Sequence, residues 1–167
     1  ILHTETKHIN SKKENMKLQT TRFGEIEVDE NRVLTFVKPI LGFQKYEKFI
    51  LIPGPNESPL WWLQSVEDGA LAFLLLEPLQ LLPDYQVSFT PQDLHELQST
   101  SPEEILIYTL LVVPEDPSKI RTNLKAPIVV NPKTRLAKQM VLDRTDYPVQ
   151  WFLAQPQNEQ STNRQEV

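Results

Sequence analysis

The chain has 167 residues, among them 14 prolines against 4 glycines, no cysteine, and 22 acidic against 17 basic side chains. A length in this range suits one domain whose core holds without staples. The missing cysteines exclude a disulfide framework, a thiolate zinc site, an iron–sulfur cluster and a cysteine nucleophile. The net charge of −5 argues against general affinity for nucleic acid, which calls for a basic face.

Residues 1–15 are polar and show no sustained period, so a disordered N-terminal extension is expected there. The basic-then-apolar signature of a secretory signal is missing. From Met16 apolar and polar residues alternate, and short β-branched or aromatic runs separated by Pro, Gly, Asn or Asp predict strands. They fall at 18–23, 26–28, 33–36, 48–52, 60–66, 70–76, 86–89, 105–113, 128–131 and 137–142. Two of these, 70–76 and 105–113, are apolar enough to be buried on both faces. No apolar run approaches the ~20 residues of a membrane-spanning helix.

Helix signals are few. Thr90-Pro91-Gln92-Asp93 offers an N-cap hydroxyl, a proline at the first helical position and an acid in the first turn. Ser101-Pro102-Glu103-Glu104 repeats the pattern as a capping box, but the residues after it read as strand. After Leu153 the chain turns polar again, and 154–167 is expected to be a disordered tail. The body, 16–153, therefore reads as one mainly β domain, an antiparallel barrel or sandwich with one or two short helices, in a soluble, cytoplasmic, monomeric protein.

Catalytic constellations are missing from this reading. His3 and His8 lie in the extension and His95 on the predicted helix, and no Gly-x-Ser-x-Gly elbow presents a nucleophile. The glycines are isolated, so no phosphate loop forms. Adjacent acids such as Glu67-Asp68 point to opposite faces when on a strand and cannot act as a dyad. No catalytic, cofactor-binding or metal-ligating residue is assigned.

Charge, in contrast, is strongly segregated. Residues 49–118 hold no Lys or Arg and sum to −11, whereas 119–144 sum to +6. Either the two segments pair across a sheet, or an acidic face remains for a basic partner. Glu67, Asp68, Glu103 and Glu104 are candidates for such a face. Trp61 and Trp62 are consecutive, so one must face outward, and Trp62 is taken as a partner anchor. Leu79, in the proline-bracketed run after Pro78, either exposes an apolar patch or covers a barrel end.

Further residues, in order along the chain, carry a family resemblance. They are Thr20-Thr21-Arg22-Phe23-Gly24-Glu25-Ile26-Glu27-Val28, then Ile40-Leu41-Gly42-Phe43 with Tyr46 and Phe49, Leu63-Gln64-Ser65, Ala72-Phe73 leading to Glu77-Pro78, and Pro83-Asp84-Tyr85. Thr122-Asn123-Leu124-Lys125-Ala126-Pro127-Ile128-Val129-Val130-Asn131 follows, with Gln139 and Val141-Leu142 after it. By their order and spacing the chain resembles the bacterial flagellar assembly factor FliW family over nearly the whole body. The resemblance implies a β-barrel-like protein without enzymatic activity or cofactor that binds flagellin in the cytoplasm. It also implies binding of the translational regulator CsrA, which relieves repression of flagellin translation, while the charge balance and the short apolar runs lead to an expectation of no direct nucleic acid contact and no membrane. The acidic candidates would act by lowering the potential beside an RNA surface. Within the 122–131 motif the asparagines read mostly as turn holders, with Asn123 and Lys125 as exposed contacts. The competing reading is a ligand-binding barrel or hydrolase.

Overall fold

The computed structural model describes residues 15–144 and 146–154. The extension and tail expected at the two ends lie outside the described residues, apart from Asn15, which opens the first strand, and Ala154. Strands β1 (Asn15–Thr20) and β2 (Gly24–Asp29) form an antiparallel hairpin in register from Asn15↔Asp29 to Thr20↔Gly24. The predicted strand 18–23 stops at Thr20 because the chain turns there. The Thr20 hydroxyl accepts from the Phe23 N–H and donates to the Gly24 carbonyl, both at 2.8 Å, and Gly24 takes φ +71°, a value that favours glycine.

The body is a closed ring of seven strands. These are β3 (Leu34–Lys38), β4 (Lys48–Pro53), β5 (Leu60–Ser65), β6 (Ala72–Leu76), β7 (Leu106–Val112), β9 (Ile128–Asn131) and β10 (Leu136–Gln139). Neighbours run antiparallel except β3 and β10, which are parallel, and β9 closes the ring on β7. Two-residue strands β8 (Arg121–Thr122) and β11 (Trp151–Phe152), which no sequence pattern announces, extend the sheet beside β7. The alternation in β4 and β5 places Phe49, Leu51, Trp61 and Leu63 inward, packed with Leu34, Phe36, Leu75, Tyr108, Ile128 and Val130.

The strand buried throughout is β9, not 70–76 or 105–113 as predicted. Ile128 and Val130 join the barrel core, whereas Val129 packs with Leu97 and Ile105 in a second cluster outside the ring. Helix α1 (Pro91–Glu96) and the segments flanking it cover this sector. On the outer side of β7 Thr109 is fully buried and Ile107 packs into the neighbouring clusters, whereas Val113, just past the strand end, is 54% exposed.

The predicted cap of α1 is present in full. Thr90 Oγ1 accepts from the Asp93 N–H (3.1 Å) and Asp93 Oδ2 accepts from the Thr90 N–H (2.8 Å), a reciprocal capping box. At Ser101 only a single 3-10 turn, Pro102–Glu104, forms before the chain enters β7. The predicted strand 86–89 joins no ladder. Val87 and Phe89 pack into apolar clusters while Gln86 and Ser88 line a groove, so its period of two reflects alternating burial without pairing.

Strands β8 and β9 are two pieces of one path along a single edge of β7, since β6 holds the other edge. Between them residues 123–127 loop outward. Asn123 Oδ1 accepts from the N–H groups of Lys125 and Ala126, at 3.0 Å each, and holds the loop. Leu124 is buried beneath it beside Tyr85, whose hydroxyl donates to the Leu124 carbonyl at 2.7 Å. Among the described residues no helix is long and apolar enough to cross a membrane.

Candidate protein-interaction surface

Strand geometry divides the tryptophan pair. Trp61 points inward against Tyr108, with ring centroids 6.2 Å apart, and its Nε1 donates to Glu77 at 2.7 Å. Trp62 therefore points outward. Ile52, Trp62, Leu74 and Leu111 stand directly opposite one another on β4, β5, β6 and β7. They form an apolar row on the outer face, and a groove of about 560 Å³ runs along it between Trp62 and Val113. The hairpin turn leans over one end. Phe23 meets Trp62 edge-on at 5.9 Å, and the Arg22 guanidinium lies 4.1 Å above the indole ring.

Gly69 permits this approach. Its carbonyl accepts from the Thr21 N–H at 3.0 Å, and a Cβ built on it would sit 1.8 Å from the Gln19 carbonyl oxygen. Beside the contact a cavity of about 330 Å³ is lined by Thr21, Arg22, Gln64, Gly69, Ala70 and Ala72. Gln64 is fully buried. Its Nε2 donates to the carbonyls of Ser65, Gly69 and Leu71 (3.0–3.2 Å), which fixes the β5–β6 turn. Its Oε1 is the one buried side-chain polar atom among the described residues that has no partner.

The segregated charges meet, but only in part. Lys138, with its side chain 3% exposed, lies 2.6 Å from Asp93 and 2.5 Å from Glu96, and Lys38 also reaches Glu96 at 3.2 Å. The Lys138 ammonium outweighs other influences on Glu96 and holds its carboxyl down to about 2. Burial pushes Asp93 upward, but hydrogen bonds from Lys138 and Thr90 overcome it and leave Asp93 below the usual carboxylate range. Burial opposes the Lys138 charge, yet the two carboxylates raise its pKa above the ordinary lysine value. Lys133 pairs with Glu104 at 3.2 Å. The remaining acids of 49–118, among them Glu67, Asp68 and Glu103, make no ion pair among the described residues.

The four acidic candidates do not share a face. The register Leu74↔Leu111 and Leu76↔Thr109 puts the β5–β6 turn, with Glu67 and Asp68, at the Val112 end of the sheet, while Glu103 and Glu104 precede the opposite end of β7. Each also has local work. Glu67 Oε1 accepts from the Glu47 and Lys48 N–H groups (2.8 and 3.1 Å), and Asp68 Oδ1 accepts from Ala70 N–H (2.9 Å). Glu103 accepts from the Ser101 hydroxyl and Glu104 from the Ser99 hydroxyl. Leu79 is 45% exposed on the 3-10 turn Pro78–Gln80, away from Trp62. Asn123 is half-buried, with its oxygen committed to the loop.

Lys125 corrects the expectation of an exposed contact. Its ammonium donates to the carbonyls of Leu142 (3.0 Å) and Arg144 (3.1 Å), so the side chain is a half-buried clasp between the 123–127 loop and the irregular segment that follows β10. His95 is exposed on α1, and His3 and His8 lie outside the described residues. No sequence motif marks Arg22, Gln64 or Lys138 as a site residue. The available signal was a lone polar side chain within an apolar strand, Gln64 in 60–66 and Lys138 in 137–142.

Comparison with known proteins agrees with this architecture. The profile of the FliW protein family matches residues 17–153. A flagellar assembly factor FliW from Natranaerobius thermophilus is 41% identical over 79% of this chain and 88% of its own length. Another from Bdellovibrio bacteriovorus is 40% identical over 76% of this chain and 73% of its own. A crystal structure of the flagellar assembly factor FliW superposes with a TM-score of 0.76 at 35% identity, covering 83% of this chain and 96% of that one.

Proposed function

Because the chain belongs to the FliW family of flagellar assembly factors, we propose that it works without catalysis in the cytoplasm. In this reading it binds flagellin and antagonises CsrA, so that flagellin translation is released from repression. The observation that carries the reading is the outward apolar row of Ile52, Trp62, Leu74 and Leu111, whose Leu74 and Leu111 end borders an open groove among the described residues. An aromatic anchor within an apolar row is the usual centre of a protein interface. Flagellin is its occupant, and departure of flagellin for export returns the factor to CsrA.

Antagonism of CsrA is electrostatic. Carboxylates outside ion pairs, at Glu67 and Asp68 in particular, lower the positive potential next to an RNA-binding surface and repel phosphate. Asp93, Glu96 and Glu104 contribute little, since lysines already neutralise them.

The test is a pull-down with flagellin and CsrA, each alone and then together. Trp62→Ala is expected to lose flagellin, and the Glu67→Lys, Asp68→Lys double variant to bind CsrA without releasing RNA. Release of RNA at the normal level by the double variant would overturn the electrostatic mechanism, and full flagellin capture by Trp62→Ala would overturn the docking face.

A further inference from the structure

The path that follows β10 stays extended. Its Met140 and Leu142 N–H groups donate to the carbonyls of Pro127 (2.9 Å) and Lys125 (2.8 Å), which continues the β9 register past the last ladder pair, Gln139↔Ile128. Side chains alternate in step. Met140 and Leu142 pack into the apolar clusters, while Val141 and Asp143 are exposed. The main-chain groups of Val141 and Asp143 are therefore turned to the opposite edge, where they have no hydrogen bond among the described residues.

Strand β3 leaves that edge open. It runs parallel to β10 as far as Lys38↔Lys138 and gives way to Pro39, which has no N–H to donate. The next contact comes from a side chain, Gln139 Oε1, which accepts from the Leu41 N–H at 2.8 Å. Past it lies a groove of about 560 Å³. Residues 138–144 line it in unbroken succession, although alternate side chains of an extended chain point to opposite faces, so the groove runs along their main chain. Gln86, Ser88 and Thr90 line its far wall. That segment alternates in burial as an extended chain does, and the main-chain groups of Val87, Ser88 and Phe89 likewise have no hydrogen bond among the described residues.

A groove walled on both sides, with an unpaired edge along it, admits one extended chain and excludes the edge of a second barrel. Its charges narrow the choice. Lys38, Lys138 and Asp93 belong to the ion-pair cluster on α1, and Arg144 pairs with Asp146. Asp143 is left, exposed and without an ion pair among the described residues, and is complementary to a cation. Val141, 59% exposed on the same face two positions away, is complementary to an apolar side chain.

We propose that the 139–143 edge receives an extended segment of a protein partner as an added strand, held by main-chain hydrogen bonds to Val141 and Asp143, with an apolar side chain against Val141 and a basic one, two positions along, against Asp143. Main-chain pairing supplies affinity in such a site, and the alternate side chains supply specificity. The site shares no residue with the Trp62 row and is a second, independent contact.

The experiment titrates the ¹⁵N-labelled full chain with the peptide acetyl-Thr-Lys-Thr-Val-Thr-Lys-Thr amide, whose Lys and Val side chains share one face when extended. In the free chain the Val141 and Asp143 amides are expected to exchange rapidly with solvent. The peptide is expected to shift both saturably and to slow their exchange at least tenfold. The same peptide with every main-chain amide N-methylated is expected to lose binding, and its counterpart with Glu in place of Lys to bind at least fivefold more weakly. Asp143→Lys, at an exposed position, is expected to reverse that charge preference with an unchanged melting temperature. Absence of saturable shifts at Val141 and Asp143 overturns the proposal, as does binding of the N-methylated peptide within twofold of the parent peptide. An unchanged charge preference in Asp143→Lys overturns the basic side chain. Slow exchange of both amides in the free chain overturns the open edge: the chain itself covers it if the protection is independent of protein concentration, and a second copy does if it is not.

Discussion

On the side of the barrel covered by α1, Lys138 has carboxylates at 2.6 and 2.5 Å, and the helix that carries them is capped at both Thr90 and Asp93. On the Trp62 side Gln64 keeps an oxygen without a partner, and Arg22 rests on an aromatic ring with no acid among the described residues to meet it. Both regions put polar groups on a β-barrel exterior, yet one consumes them internally and the other leaves them over. The difference teaches that charge in the sequence is no guide to an interface. Much of it is spent on holding an element down, and the informative groups are those with unspent hydrogen-bonding capacity.

The comparison breaks first at Lys138. Lys138→Met leaves Asp93 without its cation and Glu96 with only Lys38. It is expected to cost roughly 2–3 kcal/mol in urea unfolding, below the full range for a broken buried pair because both carboxylates keep some access to water. A loss under about 0.5 kcal/mol would mean that the helix side is held by packing alone. Next in size is Asn123→Ala, which strips two backbone N–H groups of their acceptor and should cost about 1–2 kcal/mol. The folded fraction should bind flagellin as the parent does; a variant with normal melting and lost binding would move Asn123 from scaffold to interface.

Acid sharpens the contrast. Glu96 and Asp93 have pKa values held below those of an unfolded chain. Their contribution is therefore complete above the ordinary carboxylate range and is lost as pH falls from there towards about 2. A melting curve taken stepwise from pH 6 to pH 2 should decline over that interval, and the decline should be shallower in Lys138→Met. On the other side, Trp62→Ala should lower stability by only about 1 kcal/mol, through its contacts with Phe23 and Arg22, while removing flagellin binding. The smallest effect is expected for Glu104→Gln, whose partner Lys133 is largely in water, with a melting temperature indistinguishable from the parent.

The barrel was legible wherever alternation and pairing coincide. Residues 48–52 and 60–66 alternate because one face packs on Leu34 and Phe36, and the observed β4 and β5 fall there. Residues 86–89 alternate too, but their partner is an apolar cluster, and burial alone produces the same period. The two-residue strands β8 and β11 are too short to hold a period at all. Of the candidate site, the outward Trp62 followed from the tryptophan pair. The commitment of Lys125 to Leu142 and Arg144, and of Lys138 to residues more than forty positions away, depends on three-dimensional proximity that no local pattern encodes. Gln64 was visible as part of Leu63-Gln64-Ser65, but its free oxygen emerges only once the β5–β6 turn has claimed its nitrogen.

The single parallel pairing in the ring has a kinetic meaning. Thr35 on β3 meets Leu136 on β10, so the barrel closes through residues about a hundred positions apart, after every other strand of the ring has been made. Loop closure of that span is costly, and folds dominated by such contacts form slowly. A nascent chain that has not yet delivered β10 carries β3 and β9 as open edges, and these invite pairing with other extended chains. The last strand thus acts as a latch, and the interval before it engages is when this protein is most exposed to misassembly.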